Sequence, residues 1–362
     1  MGSETLIQLN RQLRKSRPYI DNVNFCETYQ TEHLLEISFT KGRCRNDAKG
    51  TCIMCNYGIT REDRPISIYL QEMKQILESC TPEIRCLMLC TNGSILDDKQ
   101  IELELLDGIV TLANSSTIPH IQFEAHYLDV TPHKLKLLQE KMPEKKIIIA
   151  LGLETANQEY QDKIIMKGID LHKFDETLSL IKQYGFQIEL NLMSGLPFLS
   201  TYEQFEDAKQ SIMWAFNRKC RPVLFPVNIK PHTLLMEMYR SGHYSPISHW
   251  LLLLLLDTLN ETQLDEIVIA WYGNRCEDYD LNGIQTIFPS CCPKCQLAID
   301  TFYEAFTKTE LGSIRKQLLA SILTSGNSTC DCLGKTGKSL SDSSQVGFHK
   351  MYESYFEFSK NS

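Results

Sequence analysis

"LLEISFTKGRCRNDAKGTCIMCNYG" (34–58) begins as a run of alternating apolar and polar residues, "LLEISFT", and continues into three cysteines, Cys44, Cys52 and Cys55, with an aromatic, Tyr57, close behind. A period of two over such a run reads as a β-strand with one buried face. The thiols that follow stand at C-x7-C-x2-C spacing, with a short basic, glycine-containing insert in the first gap. Three soft ligands on one loop suit an iron–sulfur cluster or zinc. A closed zinc site asks for a fourth ligand, and neither His33 nor His120 stands at ligand spacing from this loop. Three thiolates on a cubane would leave one iron free to take a small molecule.

Working outward, similar apolar runs recur: "IRCLMLC" (84–90), "IQFEAHYL" (121–128), "KIIIALGLE" (146–154), "QIELNLMSG" (187–195) and "RPVLFPVNI" (221–229). Between them lie segments of helical period, such as "SIYLQEMKQILESC" (67–80), "DLHKFDETLSLIKQYG" (170–185) and "TYEQFEDAKQSIMWAF" (201–216). Asp170 and Thr201 are the expected N-caps, and Gly185 the expected stop. Strand and crossover helix, repeated six times, predict an α/β chain of parallel units. A partial (β/α)6 barrel with a small cysteine-rich C-terminal extension is expected ahead of a flat doubly wound sheet, from which the period alone does not separate it. Chemistry in such barrels sits at the carboxyl ends of the strands, where the cysteine loop falls.

The expected organisation is an N-terminal helical segment (1–30), the barrel core (31–272), a cysteine-rich region (273–335) and a flexible tail (336–362). In the third part "DEIVIAWYG" (265–273) reads as a last strand and "QLAIDTFYEAFTKTELGSIRKQLLASIL" (296–323) as one helix. Within the tail "GKTGKSLSDSSQVG" (334–347) is polar and rich in Gly and Ser and reads as a flexible segment before a short aromatic end.

Hydrophobic and charged fractions of 43% and 23% are those of an ordinary globular protein. The net charge of −8 offers no global basic field for nucleic acid. "RQLRKSR" (11–17) is the one start of a positive rim and reads more simply as a solvated helix face. The N-terminus lacks the apolar core of a signal peptide, and "MGSETL" lacks the Ser or Thr of a myristoylation signal. "WLLLLLL" (250–256) falls far short of the roughly 20 residues that span a bilayer and reads as a buried helix beginning near Ser248. A cytoplasmic location with no membrane is expected, so the 14 cysteines read as metal ligands, reactive thiols or core residues rather than a disulfide framework.

"GTCIMCNYG" (50–58), "CTNGSILD" (90–97), "ALGLETANQEYQDKIIMKGIDLHKF" (150–174) and "NLMSGLPFLSTYEQFEDAKQSI" (191–212) together resemble a family. In that order they are similar to the archaeosine-synthase radical subunit and Elongator-like members of the radical S-adenosylmethionine (SAM) superfamily. The usual spacing there is C-x3-C-x2-C, so this chain is a variant. The resemblance implies that Cys44, Cys52 and Cys55 hold a 4Fe–4S cluster and that Tyr57 flanks adenine. It further implies that the turn Thr91-Asn92-Gly93-Ser94 takes the methionine amino group. Glu154 would lie near the ribose or methionyl end, and Ser194 and Gly195 near the adenine. Plainer readings stand beside these: Glu154 as a carboxylate at a helix N-terminus, Gly195 as a turn before Pro197, Asn92-Gly93 as an ordinary turn. An acidic–basic pair of related enzymes falls on Glu124 and His126, as substrate contacts or proton carriers; a structural role for His126 is the alternative. The implied cofactors are the cluster and SAM, with an electron donor such as flavodoxin or ferredoxin.

"FPSCCPKCQ" (288–296) sets Cys291, Cys292 and Cys295 close together. Three thiolates suit pyramidal trivalent arsenic; zinc would add a fourth ligand from Cys276, Cys330 or Cys332; an auxiliary cluster is the third choice. C-C-x-K-C also resembles the C-terminal motif of the radical SAM enzyme of arsinothricin antibiotic biosynthesis. That implies transfer of the 3-amino-3-carboxypropyl group of SAM to thiol-held arsenic, a small-molecule substrate, and this is the first expectation. The second is a tRNA-modifying enzyme of the archaeosine-synthase type, with a partner chain supplying the RNA surface. The third, a metal-binding or interaction protein on an inactive barrel, is disfavoured because the cluster cysteines and the SAM-side motifs occur together.

Overall fold

The computed structural model describes residues 2–15, 26–56, 64–270, 286–326, 330–342 and 344–361. Eight strands form one sheet in chain order: β1 (Cys26–Gln30), β2 (Leu34–Phe39), β3 (Cys86–Thr91), β4 (His120–Ala125), β5 (Lys146–Glu154), β6 (Gln187–Ser194), β7 (Arg221–Pro226) and β8 (Val268–Ile269). β1 pairs antiparallel with β2, and β2 to β8 run parallel. The helices are α1 (Gly2–Lys15), α2 (Arg45–Lys49), α3 (Ile66–Glu78), α4 (Leu103–Ser115), α5 (Pro132–Lys141), α6 (Gln158–Tyr160), α7 (Leu171–Gln183) and α8 (Thr201–Asn217). They continue as α9 (Leu234–Arg240), α10 (His249–Asp257), α11 (Glu261–Glu266), α12 (Pro293–Thr307), α13 (Gly312–Ser325), α14 (Cys332–Ser341) and α15 (Phe348–Asn361).

The sheet curls into an open half-barrel. Alternation along the strands divides its two faces: Leu35, Ile37, Phe39, Leu87, Leu89, Ile121 and Phe123 are buried in the core shared with the crossover helices. The other face is polar and concave. Gln122 on β4 donates to Glu189 on β6 (3.1 Å), and Asn191 on β6 donates to Glu124 on β4 (3.3 Å). Both bonds pass over β5, which requires side chains that converge inside a curve. Six parallel strands match the six runs read from the sequence, and β8 falls inside the expected last strand.

Local capping follows the sequence with one shift. Asp170 accepts from His172 N (3.0 Å) and Lys173 N (3.2 Å) and starts α7. The cap of α8 is Ser200 rather than Thr201, because Glu203 closes a reciprocal capping box with Ser200. Gly185 ends α7 at φ +75°. Ser248 caps α10, as read.

Three expectations are corrected. β1 was not foreseen; it is a five-residue, mostly exposed edge strand with little apolar pattern to mark it. The single helix read over 296–323 is two, α12 and α13. Arg315 of α13 donates to the Thr309 (2.7 Å) and Phe306 (3.2 Å) carbonyls and folds the connection back on α12. The tail read as flexible is helical. Phe348, Tyr352 and Tyr355 of α15 are buried in a cluster with Leu6 and Phe198, and the boundary at 336 falls within α14. The boundary at 272–273 lies outside the described residues.

Candidate functional site

The cysteine loop leaves the carboxyl end of β2. Cys44 stands at the N-cap position of α2, and Gly50 closes that helix at φ +82°. The seven-residue gap is therefore one short helix, which carries the chain from the first thiol to the second. Gly50 admits no side chain, since a Cβ would lie 2.5 Å from Arg11 Cγ. Helix α1 grips the loop by its carbonyls. Asn10 Nδ2 donates to Gly50 O (3.1 Å) and Cys52 O (2.8 Å), Arg14 donates to Cys52 O (2.7 Å), and Arg11 donates to Lys49 O (2.7 Å). Arg14 also pairs with Asp47, which is fully buried. Arg14 of "RQLRKSR" is thus turned onto the loop, while Arg11 bonds to it and stays exposed. On the far side Arg45 binds Asp129 through both carboxylate oxygens (2.8 and 3.1 Å) and reaches Asp97 (3.4 Å).

The three thiols form one electrostatic group. Cys55 and Cys52 are hydrogen-bonded, which pulls the Cys52 thiol down and pushes Cys55 up; burial raises Cys44. Lys167 stands among them. Burial would lower its ammonium pKa, but the Glu154 carboxylate and the Cys52 and Cys55 thiols outweigh that and raise it. Glu154, at the end of β5, is buried and ion-paired with Lys167. It is held at φ +68°, and Met166, the residue before Lys167, at φ +53°. Left-handed backbone at two non-glycine residues is costly and marks a place where geometry is imposed. Gln161, in a π-helical turn, supports the end of β5 by donating to the Leu153 and Thr155 carbonyls (2.5 Å each). Lys167, Arg14 and Asn10 escaped the sequence reading; "MKGID" (166–170) lay inside a quoted motif.

The other expected residues gather at the same strand ends with unequal weight. In the turn after β3, Ser94 N donates to Gln100 Oε1 (2.8 Å), Ser94 Oγ accepts from His126 N (3.0 Å), and a Cβ on Gly93 would lie 2.6 Å from Gln100 Oε1. What Gly93 admits is therefore the Gln100 side chain, which braces Asn92-Gly93 from behind. His126 is pulled down to about 4, by burial first and then by Arg45 and Lys167, and is neutral at pH 7. Its Nδ1 lies 3.1 Å from Arg45 Nη2 and so must accept. That bond ties the ring to the start of α2. Glu124 faces the concave side through Asn191. Ser194 Oγ is buried with no hydrogen-bond partner among the described residues. Gly195 is held at φ +90°, and a Cβ on it would lie 3.0 Å from Ile247 Cβ. Tyr57 and Cys276 lie outside the described residues.

The second cysteine group differs from the expected triple. Cys292, Cys295, Cys330 and Cys332 are brought together, with all four sulfurs within 4.8 Å of one another. Cys291 stands beside them, its thiol against Cys295 and Cys332, but outside that tight set.

No family model matches the chain. Archaeosine synthase subunit beta of Methanosarcina acetivorans is 25% identical over 227 residues, 61% of this chain and 65% of that protein. The same subunit of Thermococcus kodakarensis is 28% identical over 210 residues, 55% of this chain and 63% of that one. The chain is similar in sequence to these subunits, the relationship expected from its motifs, and spans slightly less than two thirds of their length. Among solved structures, methylornithine synthase aligns at TM-score 0.49 and 17% identity over 74% of this chain and 69% of that one, too loose a likeness to argue from.

Proposed function

We propose that this chain is a radical SAM enzyme, with Cys44, Cys52 and Cys55 as ligands of a 4Fe–4S cluster and SAM as the second cofactor. The observation that carries the reading is the thiol loop itself. Three cysteines share one electrostatic group with a lysine, on a loop whose carbonyls are tied down by α1. The donor set fits the cluster: thiolates are its usual protein ligands, and Lys167 offsets part of their charge. The unpartnered Ser194 Oγ and the strained Glu154 lie on strand ends beside it and suit a polar nucleotide. When bound, the reduced cluster supplies one electron to the sulfonium of SAM and so generates a carbon radical.

The residues of this chain supply position and exclusion. Asn10, Arg11 and Arg14 fix the thiol loop, Arg45 fixes α2 from the other side, and the Glu154–Lys167 pair sets the polar end of the site. Glu36, Glu124 and Glu189, on the strands that form the concave face, give the acceptor an acidic, hydrogen-bonding surface. An external one-electron donor such as flavodoxin or ferredoxin is required.

For the acceptor, the homologues favour an RNA nucleoside, with a partner chain presenting the RNA, since this chain commits Arg11 and Arg14 to its own loop. Thiol-held arsenic has less support, because Cys292 and Cys295 belong to a closed set of four rather than an open three. The test is to incubate reduced chain with SAM and identify the nucleoside released. 5′-Deoxyadenosine is the expected product and signals hydrogen abstraction. 5′-Methylthioadenosine, formed with arsenite present, would replace this acceptor with the aminocarboxypropyl reading. No turnover of SAM by chain carrying a full cluster would end the enzymatic proposal.

A further inference from the structure

We infer that Cys292, Cys295, Cys330 and Cys332 form a second metal centre, a closed tetrathiolate site for one zinc ion that pins the C-terminal helices. A tetrahedral zinc with bonds of about 2.3 Å holds its sulfurs about 3.8 Å apart. Cys292 and Cys295 stand 3.6 Å apart, and none of the four sulfurs is more than 4.8 Å from another. The C-x2-C pair opens α12, with Cys292 at its N-cap, and Cys330 and Cys332 open α14. The hairpin of α12 and α13 between them returns the chain so that two helix starts meet. Four soft ligands leave no position for substrate, so the centre is structural.

Its neighbours show what it holds. Cys295 is buried beside Trp250, the largest fully buried side chain among the described residues, and Gly326 is packed so closely on that indole that a Cβ would lie 2.5 Å from it. Cys291 follows closely on Ile287, which bridges to Ile229 just beyond β7 (2.8 and 3.0 Å). α14, beginning at the site, binds the start of α10 through Thr336 and Ser248 (3.2 Å). The ion therefore anchors the strip beside the strand ends and the helices that flank it. Cys291, outside the set, is not needed for it.

The test uses the full chain and is independent of the cluster proposal. Metal analysis should find one zinc per chain, with four sulfur neighbours near 2.3 Å in X-ray absorption. Zinc should persist in Cys52→Ala and Cys291→Ser and fall at least tenfold in Cys330→Ser and Cys332→Ser. Should those variants fail to fold, the absorption spectrum of the native chain decides alone. Folded native chain that takes up neither zinc nor cobalt would overturn the inference. So would binding that survives Cys330→Ser and Cys332→Ser but is lost in Cys291→Ser, which would locate a three-thiol site at Cys291, Cys292 and Cys295.

Discussion

Cys44, Cys52 and Cys55 lie on one loop, between β2 and α3, and depend on a distant helix, α1, to hold that loop in place. Cys292, Cys295, Cys330 and Cys332 arrive from two helix starts and are brought together by the hairpin between them. The first group has three thiols with a lysine and a carboxylate beside them; the second has four thiols closing on one another against a buried tryptophan. The first loop is thus braced through its backbone, and its thiols meet one another and Lys167. A site that only ties elements together uses every side chain it has. The number of thiols separates an open centre from a closed one, and the supporting contacts agree with that division.

The largest effect expected is from Arg14→Ala. It removes the guanidinium paired with fully buried Asp47, which costs on the order of 3–5 kcal/mol. Denaturant unfolding should show the loss, and iron content should fall while zinc is retained. Equal loss of both metals would erase the distinction between the two regions. Removing zinc with a chelator should act the other way. An ion present at about 1,000 times its Kd stabilises by about 4 kcal/mol, so chelation should lower the unfolding midpoint and expose α12 to α14 to proteolysis while the iron chromophore persists.

Asp207 offers a pH test of the first region. It is buried and accepts from Thr155, next to Glu154 (2.5 Å). Burial pushes its carboxyl up to about 7 from an ordinary 3.8. The folded chain then keeps a proton that the unfolded chain has lost, so stability falls as pH rises from about 4 to about 7 and levels off above. The whole span amounts to roughly 4 kcal/mol at most. Asp207→Asn should flatten it in thermal melts taken across that range; an unchanged slope would remove Asp207 as its source. The smallest effect is expected from Lys167→Gln. It should weaken SAM binding about tenfold, or roughly 1.4 kcal/mol, and leave zinc untouched. SAM affinity equal to that of the native chain would leave the lysine a purely structural partner of Glu154.

Much of the fold was legible because buried parallel strands are written as apolar runs, and "KIIIALGLE" or "QIELNLMSG" have few other readings. The first cysteine group was legible because its ligands sit on one loop. What escaped depends on distance along the chain. Nothing near Asp47 announces Arg14, and nothing in "FPSCCPKCQ" says that Cys330 and Cys332 will replace Cys291. That exchange depends on the break after α12, where Arg315 folds α13 back. In the tail, composition gave no sign of α14 and α15. The spacing of Phe348, Tyr352 and Tyr355 is helical and apolar, and it outweighs the polar run before it.

The most direct test is the iron and sulfide content of anaerobically reconstituted chain, native and Cys52→Ala, with the visible chromophore recorded. A full 4Fe–4S complement in the native chain, lost in Cys52→Ala and kept in Cys330→Ser, is the predicted result. Iron retained at full level without the Cys52 thiol, or zinc alone bound at the first three cysteines, would contradict the account.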